Sequence, residues 1–306
     1  MSNPLISVVI PAYNHERFVG AAIESVLDQS VDDLELIIVD DGSTDKTADV
    51  IQSYQDKRLS YTWQENQDAF NTINRGLGMA RGQYVAILNS DDIYTTDRLE
   101  RLVDQALNRQ RQCLLTDVIP ISDDGVEFTD PAFGWNIWHR KNREYYQQYN
   151  DIYTGFLNGN FMVTTSNLFM TAEAVARVGK FSSLRYLHDY DFIFRMMLAY
   201  PDGVEYLQHD KLLYYRIHDG NTLSEAAITG RQQDLAIISK YMLAKLPEEY
   251  RQYVETGSNR LRALENELHQ VRTELTGQRA PARSLATRVK SKCARILGFS
   301  RTGRAG

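Results

Sequence analysis

Short runs of aliphatic residues, each stopped by a polar cluster and followed by a segment of helical spacing, repeat through the first hundred residues of this 306-residue chain. Nothing else in the sequence restricts the fold as much. Leu5–Ile10, halted by Pro11, then Leu34–Val39, Leu59–Trp63 and Tyr84–Leu88 read as strands. Phe18–Leu27, Asp45–Tyr54 and Ala69–Ala80 read as the helices between them, with Phe18, Ala22 and Val26 along one face of the first. Ser43 or Thr44 is expected to cap the second of these helices. Strands and helices alternating at this spacing predict parallel βαβ units, and so an α/β fold with a Rossmann-like, mostly parallel central sheet flanked by helices. Ligands of such sheets bind beyond the carboxyl ends of the strands. Tyr13-Asn14, Asp40-Asp41 and Asn89-Ser90-Asp91-Asp92 each follow a strand directly, so all three are expected at one edge.

Beyond the first hundred residues the pattern loosens. Residues 116–165 carry Phe133, Trp135, Trp138, Tyr145, Tyr146, Tyr149, Tyr153 and Phe156 without a period, and read as an irregular inserted segment or lid on the acceptor side. Val163–Met170 and Lys211–Arg216 are expected as strands. Ala172–Val178, closed by Gly179, and Phe192–Leu198 are expected as helices. Residues 1–225 thus form the main domain. From 226 to 276 a helical extension follows, in which Leu261, Leu264, Leu268, Val271 and Leu275 step by three and four. That short heptad seam over 258–276 suits weak homo-oligomerisation or packing back on the body.

Residues 277–306 hold eight basic side chains and no acidic one, so the rest of the chain is more acidic than the net charge of −6 suggests. An acidic body argues against a nucleic-acid partner, and a basic tail argues for an anionic one of its own. Within it Leu285, Val289, Cys293 and Ile296 share one helical face, the pattern of a helix lying on an anionic membrane over 283–299. The bland reading is a solvated charged segment. Two cysteines far apart form neither a disulfide framework nor a zinc site and favour a reducing cytoplasm. The first residues lack a signal-peptide pattern, and no run reaches the roughly 20 apolar residues of a membrane span. The expected place is the cytoplasm, with the tail at the inner face of the membrane.

Four clusters carry chemistry. Asn89-Ser90-Asp91-Asp92 offers hard oxygen ligands for Mg²⁺ or Mn²⁺, though a turn with a capping Asp would look the same. Asp40-Asp41-Gly42-Ser43 offers a carboxylate to a pyrimidine N–H, or is simply a turn needing glycine. In His188-Asp189-Tyr190-Asp191 the two carboxylates sit two apart on a helix and do not face each other. One should point to the site while the other caps or pairs. His218, in Arg216-Ile217-His218, is the best metal-ligating histidine, although a lone histidine is more often structural. Glycine loops of the NAD and ATP type and the nucleophile elbow are missing.

In order, Ser7–Asn14, Ile38–Asp45, Asn74-Arg75-Gly76 with Ala80-Arg81-Gly82, Leu88–Asp92, His188–Asp191 and Tyr215–His218 with Asn221 and Ser224 resemble the family 2 inverting glycosyltransferases of the GT-A fold. The resemblance covers roughly residues 5–225. It implies a metal-dependent inverting transfer of a sugar from a nucleotide-diphosphate sugar, a UDP-sugar, to a hydroxyl of a glycan or lipid-linked glycan in surface-polysaccharide assembly. It implies Asp189 as catalytic base. Pro11, Tyr13, Asn14, Asp41, Asp68, Asn74, Asn89 and Ser90 would hold the nucleotide and donor. Asp91, Asp92 and His218 would hold Mn²⁺ or Mg²⁺. Asn89 departs from the usual Asp of the metal motif, and Ile73 from an Arg common beside the Asn-x-Gly motif. The other readings are a sugar-phosphate nucleotidyltransferase, which needs a glycine-rich loop and a lysine near the N-terminus that Leu5–Gly20 lacks, and a catalytically inactive scaffold.

Overall fold

The computed structural model describes residues 3–149, 151–218 and 229–248, with further helical positions between 251 and 268. The chain divides into two compact units, Met1–Tyr241 and Met242–Gly306. The first is built on an eight-stranded sheet of β1 (Ile6–Ala12), β2 (Leu34–Asp40), β3 (Leu59–Trp63), β4 (Tyr84–Ile87), β5 (Ile93–Tyr94), β6 (Cys113–Ile121), β7 (Phe169–Thr171) and β8 (Val204–Arg216). Their order is β3-β2-β1-β4-β7-β6-β8-β5. β1 pairs parallel with β2 and β4, and β2 with β3. β7 runs antiparallel between β4 and β6, β8 runs parallel to β6, and β5 antiparallel to β8. Only β7 and β5 therefore oppose the rest, and the carboxyl ends of β1, β2, β4, β6 and β8 share one rim.

Strands buried on both faces explain the unbroken apolar runs that mark β1 and β2. Ile6, Val8 and Ile10 alternate with Val9, and Leu36 and Ile38 with Ile37 and Val39. The first set packs against α1 (Val19–Leu27), α2 (Thr47–Gln52) and α4 (Arg98–Arg109) through Ile23, Ile51 and Leu102. The other set faces Leu77 of α3 (Ala69–Met79). α3 comes so close to the sheet that a Cβ on Gly76 would sit 2.2 Å from Val9 Cγ1, which gives Asn74-Arg75-Gly76 its glycine. Ala80-Arg81-Gly82 works at the opposite rim from the strand carboxyl ends. There Ser7 Oγ donates to Glu35 at 2.7 Å and accepts from the Gly82 N–H at 2.8 Å, while Arg81 Nε donates to Glu35 at 3.0 Å.

Residues 116–165 are not irregular, contrary to expectation. They contain most of β6, α5 (Gly134–Tyr149) and α6 (Ile152–Asn158). α5 shows no apolar stripe because the fully buried residues it contributes are polar, His139 and Asn142. The register of β6 with β8 shifts at Asp117, whose carboxylate is buried yet held by His139 Nε2 at 2.7 Å, by Arg143 and by the Tyr206 hydroxyl at 3.3 Å. The strand expected over Val163–Met170 shrinks to β7, preceded by a single 3₁₀ turn at Thr165–Asn167. α2 starts at Thr47 with Lys46, not Ser43 or Thr44, at its N-cap position, and Asp45 Oδ1 accepts the Thr47 N–H at 2.9 Å.

α7 (Ala172–Val178) and α8 (His188–Ala199) cover the second face of the sheet, and α9 (Thr229–Ala244) adds Ile237 and Tyr241 to the same core. This contact carries the first unit past residue 225. Among the described residues of the second unit, Leu261, Leu264 and Leu268 of the heptad seam are exposed. Val271, Leu275, Asn221, Ser224 and the basic tail lie outside the described residues. No helix among the described residues is long and apolar enough to cross a membrane.

Candidate active site

The loops leaving β1, β2, β4 and β8 meet at the shared rim. After β1, Asn14 adopts φ 51°, and its N–H donates to Ser43 Oγ at 3.0 Å while its Oδ1 accepts from the Thr44 N–H at 2.8 Å. The β1 and β2 loops are thereby stitched together. Asp41 lies buried beneath them. Its Oδ1 accepts from Gln64 Nε2 at 2.7 Å and from the Gln67 N–H at 2.9 Å, and Gln64 in turn accepts from Arg75 at 2.9 Å. Gly42 has φ 78°, and a Cβ there would lie 2.9 Å from the Asn66 N–H nitrogen, so the turn beside Asp41 requires glycine. Pro11 lies half-buried within β1, which runs on through Ala12, and Tyr13 follows it, exposed. Asp68 is also exposed, at φ 68°.

The loop after β4 carries the second group. Asp91 Oδ2 lies 3.1 Å from His218 Nε2, and His15 Nδ1 lies 2.7 Å from Ser90 Oγ. His15, Asp91 and His218 each offer a ligand atom within 4.8 Å of the others. Burial works to raise the Asp91 carboxyl, but the hydrogen bond from His218 and the positive charge that His15 and His218 can carry outweigh it and hold it below the usual carboxylate range. Two imidazoles and a carboxylate are a donor set that fits a divalent cation. His15 gave no signal in the sequence, because it lies far from Asp91 and His218 along the chain and in no spaced motif.

Asp92 belongs elsewhere. It is buried, and its Oδ2 accepts from Ser166 Oγ at 2.6 Å and Thr164 Oγ1 at 3.0 Å while its Oδ1 accepts the Arg216 N–H at 3.1 Å. Burial first, and the charge of Asp91 second, push its carboxyl up to about 7. Its two oxygens are thus engaged by protein donors, whereas Asp91 Oδ2 meets His218. Asn89 reinforces the same junction, its N–H donating to Ser166 Oγ at 2.8 Å and its Nδ2 to Thr164 Oγ1 at 3.0 Å. An amide can donate there where a carboxylate cannot, which gives Asn89 a physical reason to replace Asp. The turn begins at Val163, buried at φ 72°. Such a backbone is strained for a β-branched residue, by about 1–3 kcal/mol.

That turn also reaches α8. Thr165 Oγ1 donates to Asp189 Oδ2 at 3.3 Å, and Asp189 Oδ1 accepts the Tyr190 N–H at 2.7 Å. Thus Asp189, Asp92 and the Asp91 loop are joined through three successive residues, Thr164 to Ser166. Tyr215 is nearly buried among them, its hydroxyl pushed up by burial and by the charges of Asp92, Asp91 and Asp189. Arg216 closes the rim, donating from Nε to the Asp91 carbonyl at 2.9 Å and from Nη1 to the Asp123 carbonyl at 2.6 Å.

The two carboxylates of α8 do diverge. Asp191 accepts from Ser182 Oγ at 2.6 Å, Arg195 Nε at 2.8 Å, Lys240 Nζ at 2.9 Å and the Tyr241 hydroxyl at 2.6 Å. Burial alone would raise it, yet these donors hold it at about 2, against an ordinary 3.8. A group depressed on folding stabilises the fold above its ordinary value and loses that contribution as pH falls through the folded one. The contribution is about 2 kcal/mol, present above roughly pH 4 and gone below roughly pH 2. Urea unfolding of wild type and Asp191→Asn should therefore differ most near neutral pH and converge between pH 4 and 2. A difference that stays constant with pH would contradict this.

Asn74 is likewise a tie. Its Oδ1 accepts the Phe181 N–H at 2.8 Å and its Nδ2 donates to the Phe181 carbonyl at 3.0 Å, fixing α3 to the segment before α8. Beside it Ile73 is buried in the core with Ile87 and Phe192.

Known proteins agree with this architecture. The family model of Glycosyl transferase family 2 matches residues 7–170. An uncharacterized glycosyltransferase of Rickettsia typhi is 30% identical over 225 residues, 73% of this chain and 67% of its own. The putative teichuronic acid biosynthesis glycosyltransferase TuaG of Bacillus subtilis is 39% identical over 126 residues, 40% of this chain and 50% of its own. S. aureus TarS, solved with UDP-GlcNAc, superposes with a TM-score of 0.59 at 19% identity, covering 81% of this chain and 70% of that one. The mannosyltransferase PcManGT of Pyrobaculum calidifontis, solved with GDP-Man and Mn²⁺, gives 0.58 at 16% identity over 96% and 81%. These two likenesses show the fold, GT-A. By the family match over more than half its length, and by a relative matched over two thirds of both chains, this chain is a glycosyltransferase and belongs to Glycosyl transferase family 2.

Proposed function

We propose that the chain transfers a sugar from a UDP-sugar to a hydroxyl of a glycan or lipid-linked glycan, inverting the anomeric carbon, in surface-polysaccharide assembly. One observation carries this reading: the Thr164–Ser166 turn links Asp189 of α8 to the Asp91-Asp92 loop, so a base and a cation site border one space. Tyr13, exposed beside the buried Asp41, suits a nucleobase stacking on the ring while the carboxylate side of the pocket accepts its N–H. Pro11, Asn14 and Asp68 shape the same pocket, and Asn89 and Ser90 hold the loop beneath the ribose and phosphates. Asp189 takes the proton of the acceptor hydroxyl as its oxygen attacks the anomeric carbon, and the nucleoside diphosphate departs from the opposite side. Asp91 and His218 would hold a divalent ion, Mn²⁺ or Mg²⁺, which would supply positive charge against the leaving diphosphate. The Mn²⁺ in the PcManGT structure and the UDP-GlcNAc in that of TarS support the ion and the donor class. The name of TuaG supports the pathway.

Full-length protein should release nucleoside diphosphate from UDP-sugars with Mn²⁺ and stop when EDTA is added. Release at an undiminished rate in EDTA would refute the metal dependence, and release from GDP-sugars alone would refute the donor. The tail carries a separate reading. Residues 283–299 hold the enzyme to an anionic membrane, where a lipid-linked acceptor lies, and 258–276 pair two copies. Vesicles containing anionic lipid should sediment the full chain but not a version ending at Gly277. Equal sedimentation would remove the anchor.

A further inference from the structure

Beyond Asp91 and His218, we infer that His15 is the third protein ligand of the cation, which makes the site two imidazoles and one carboxylate and selects transition-metal ions over Mg²⁺. The inference rests on the reading that a cation sits at this rim. His15 is held as a ligand would need to be. Its backbone N–H donates to Thr47 Oγ1 at 2.8 Å, and its carbonyl accepts the Phe18 and Val19 N–H groups at 3.0 and 2.9 Å. Its Nδ1 is tied to Ser90 Oγ at 2.7 Å, and Ser90 is buried directly before Asp91. A hydrogen bond on one ring nitrogen fixes which nitrogen remains for a metal, and here Nε2 remains.

The two imidazoles also share a wall. Phe18, buried at the start of α1, packs with its ring centroid 5.8 Å from that of His15 and 4.8 Å from that of His218, and the two histidine centroids lie 5.7 Å apart, edge to face. The 3.1 Å between His218 Nε2 and Asp91 Oδ2 matches the separation of adjacent ligands around an ion with bonds of about 2.1 Å. Among the described residues, the group of side chains that could hold an ion is His15, Asp91 and His218, and Asp92 is engaged by Ser166, Thr164 and Arg216. Mg²⁺ prefers oxygen ligands, whereas imidazole suits the later first-row ions, so affinity should rise from Mg²⁺ through Mn²⁺ to Co²⁺ and Zn²⁺.

The metal alone is the probe. Pulsed EPR of Mn²⁺ bound to the full chain should show two coupled ring nitrogens, and His15→Asn should show one, with Mn²⁺ affinity lowered at least about tenfold, the effect of losing even an outer-sphere partner. Ser90→Ala should keep both nitrogens and bind more weakly. Co²⁺ should displace Mn²⁺ near stoichiometry and Mg²⁺ only in large excess. A single nitrogen in the wild type, unchanged affinity in a folded His15→Asn protein, or displacement by Mg²⁺ at concentrations like those of Co²⁺ would each overturn the assignment, as would a wild type that binds no Mn²⁺. Two nitrogens in a protein that turns over no nucleotide-sugar would refute the proposed transfer and leave the ligand set standing.

Discussion

Replacing Asp189 by Asn is expected to lower turnover by about 10²–10⁴-fold, the usual worth of a positioned general base, with the fold and metal-dependent nucleotide binding retained. The substitution changes charge far more than shape. An amide oxygen still accepts the Tyr190 N–H, and the Thr165 hydroxyl can turn to accept from the new NH₂ where it now donates at 3.3 Å. What disappears is the ability to take the acceptor's proton. The loss should therefore fall on kcat, with the KM for the donor close to unchanged. A variant with wild-type turnover would show that Asp189 is not the base. A variant that also lost nucleotide binding would assign it to the donor side.

Two adjacent carboxylates should respond in opposite ways. Asp92→Ala removes the acceptor of three buried donors, Ser166 Oγ, Thr164 Oγ1 and the Arg216 N–H. At about 1–3 kcal/mol for each stranded group, a loss on the order of 3 kcal/mol or more in folding stability is expected. It would be read as a lower urea midpoint without metal. Asp91→Ala deletes a carboxylate whose Oδ2 meets His218, whereas Asp92 binds three donors. It should cost much less stability and abolish metal-dependent nucleotide binding in calorimetry. Equal stability losses, or metal binding kept by Asp91→Ala and lost by Asp92→Ala, would reverse the roles given to the pair.

How far each of these residues could be read in advance depended on the range of the forces that place it. β1, β2 and β4 were legible because a strand covered on both sides must be apolar along its whole length. α5 was not, because it buries His139 and Asn142 rather than a stripe of leucines. β6 was hidden by Asp117, a charge that no buried strand should carry until His139, Arg143 and Tyr206 are brought to it from α5 and β8. Asp91 and Asp189 stood out by following a strand and opening a helix. Asp92 and Asn74 looked equally suited to ligands, and only their partners, the Thr164–Ser166 turn and the Phe181 backbone, give them structural work.

The sequence alone determined the class of sheet, the rim at which polar clusters gather and the family, since strand periodicity, glycine turns and motif order are local properties of the chain. Tertiary structure decided which carboxylate of each pair is tied to protein donors, Asp92 and Asp191, and it brought His15 and His218 to Asp91 from more than seventy residues before it and more than a hundred after it. Those choices depend on distances between segments remote in sequence, and a hydrogen bond a few ångströms long leaves no period for the sequence to record.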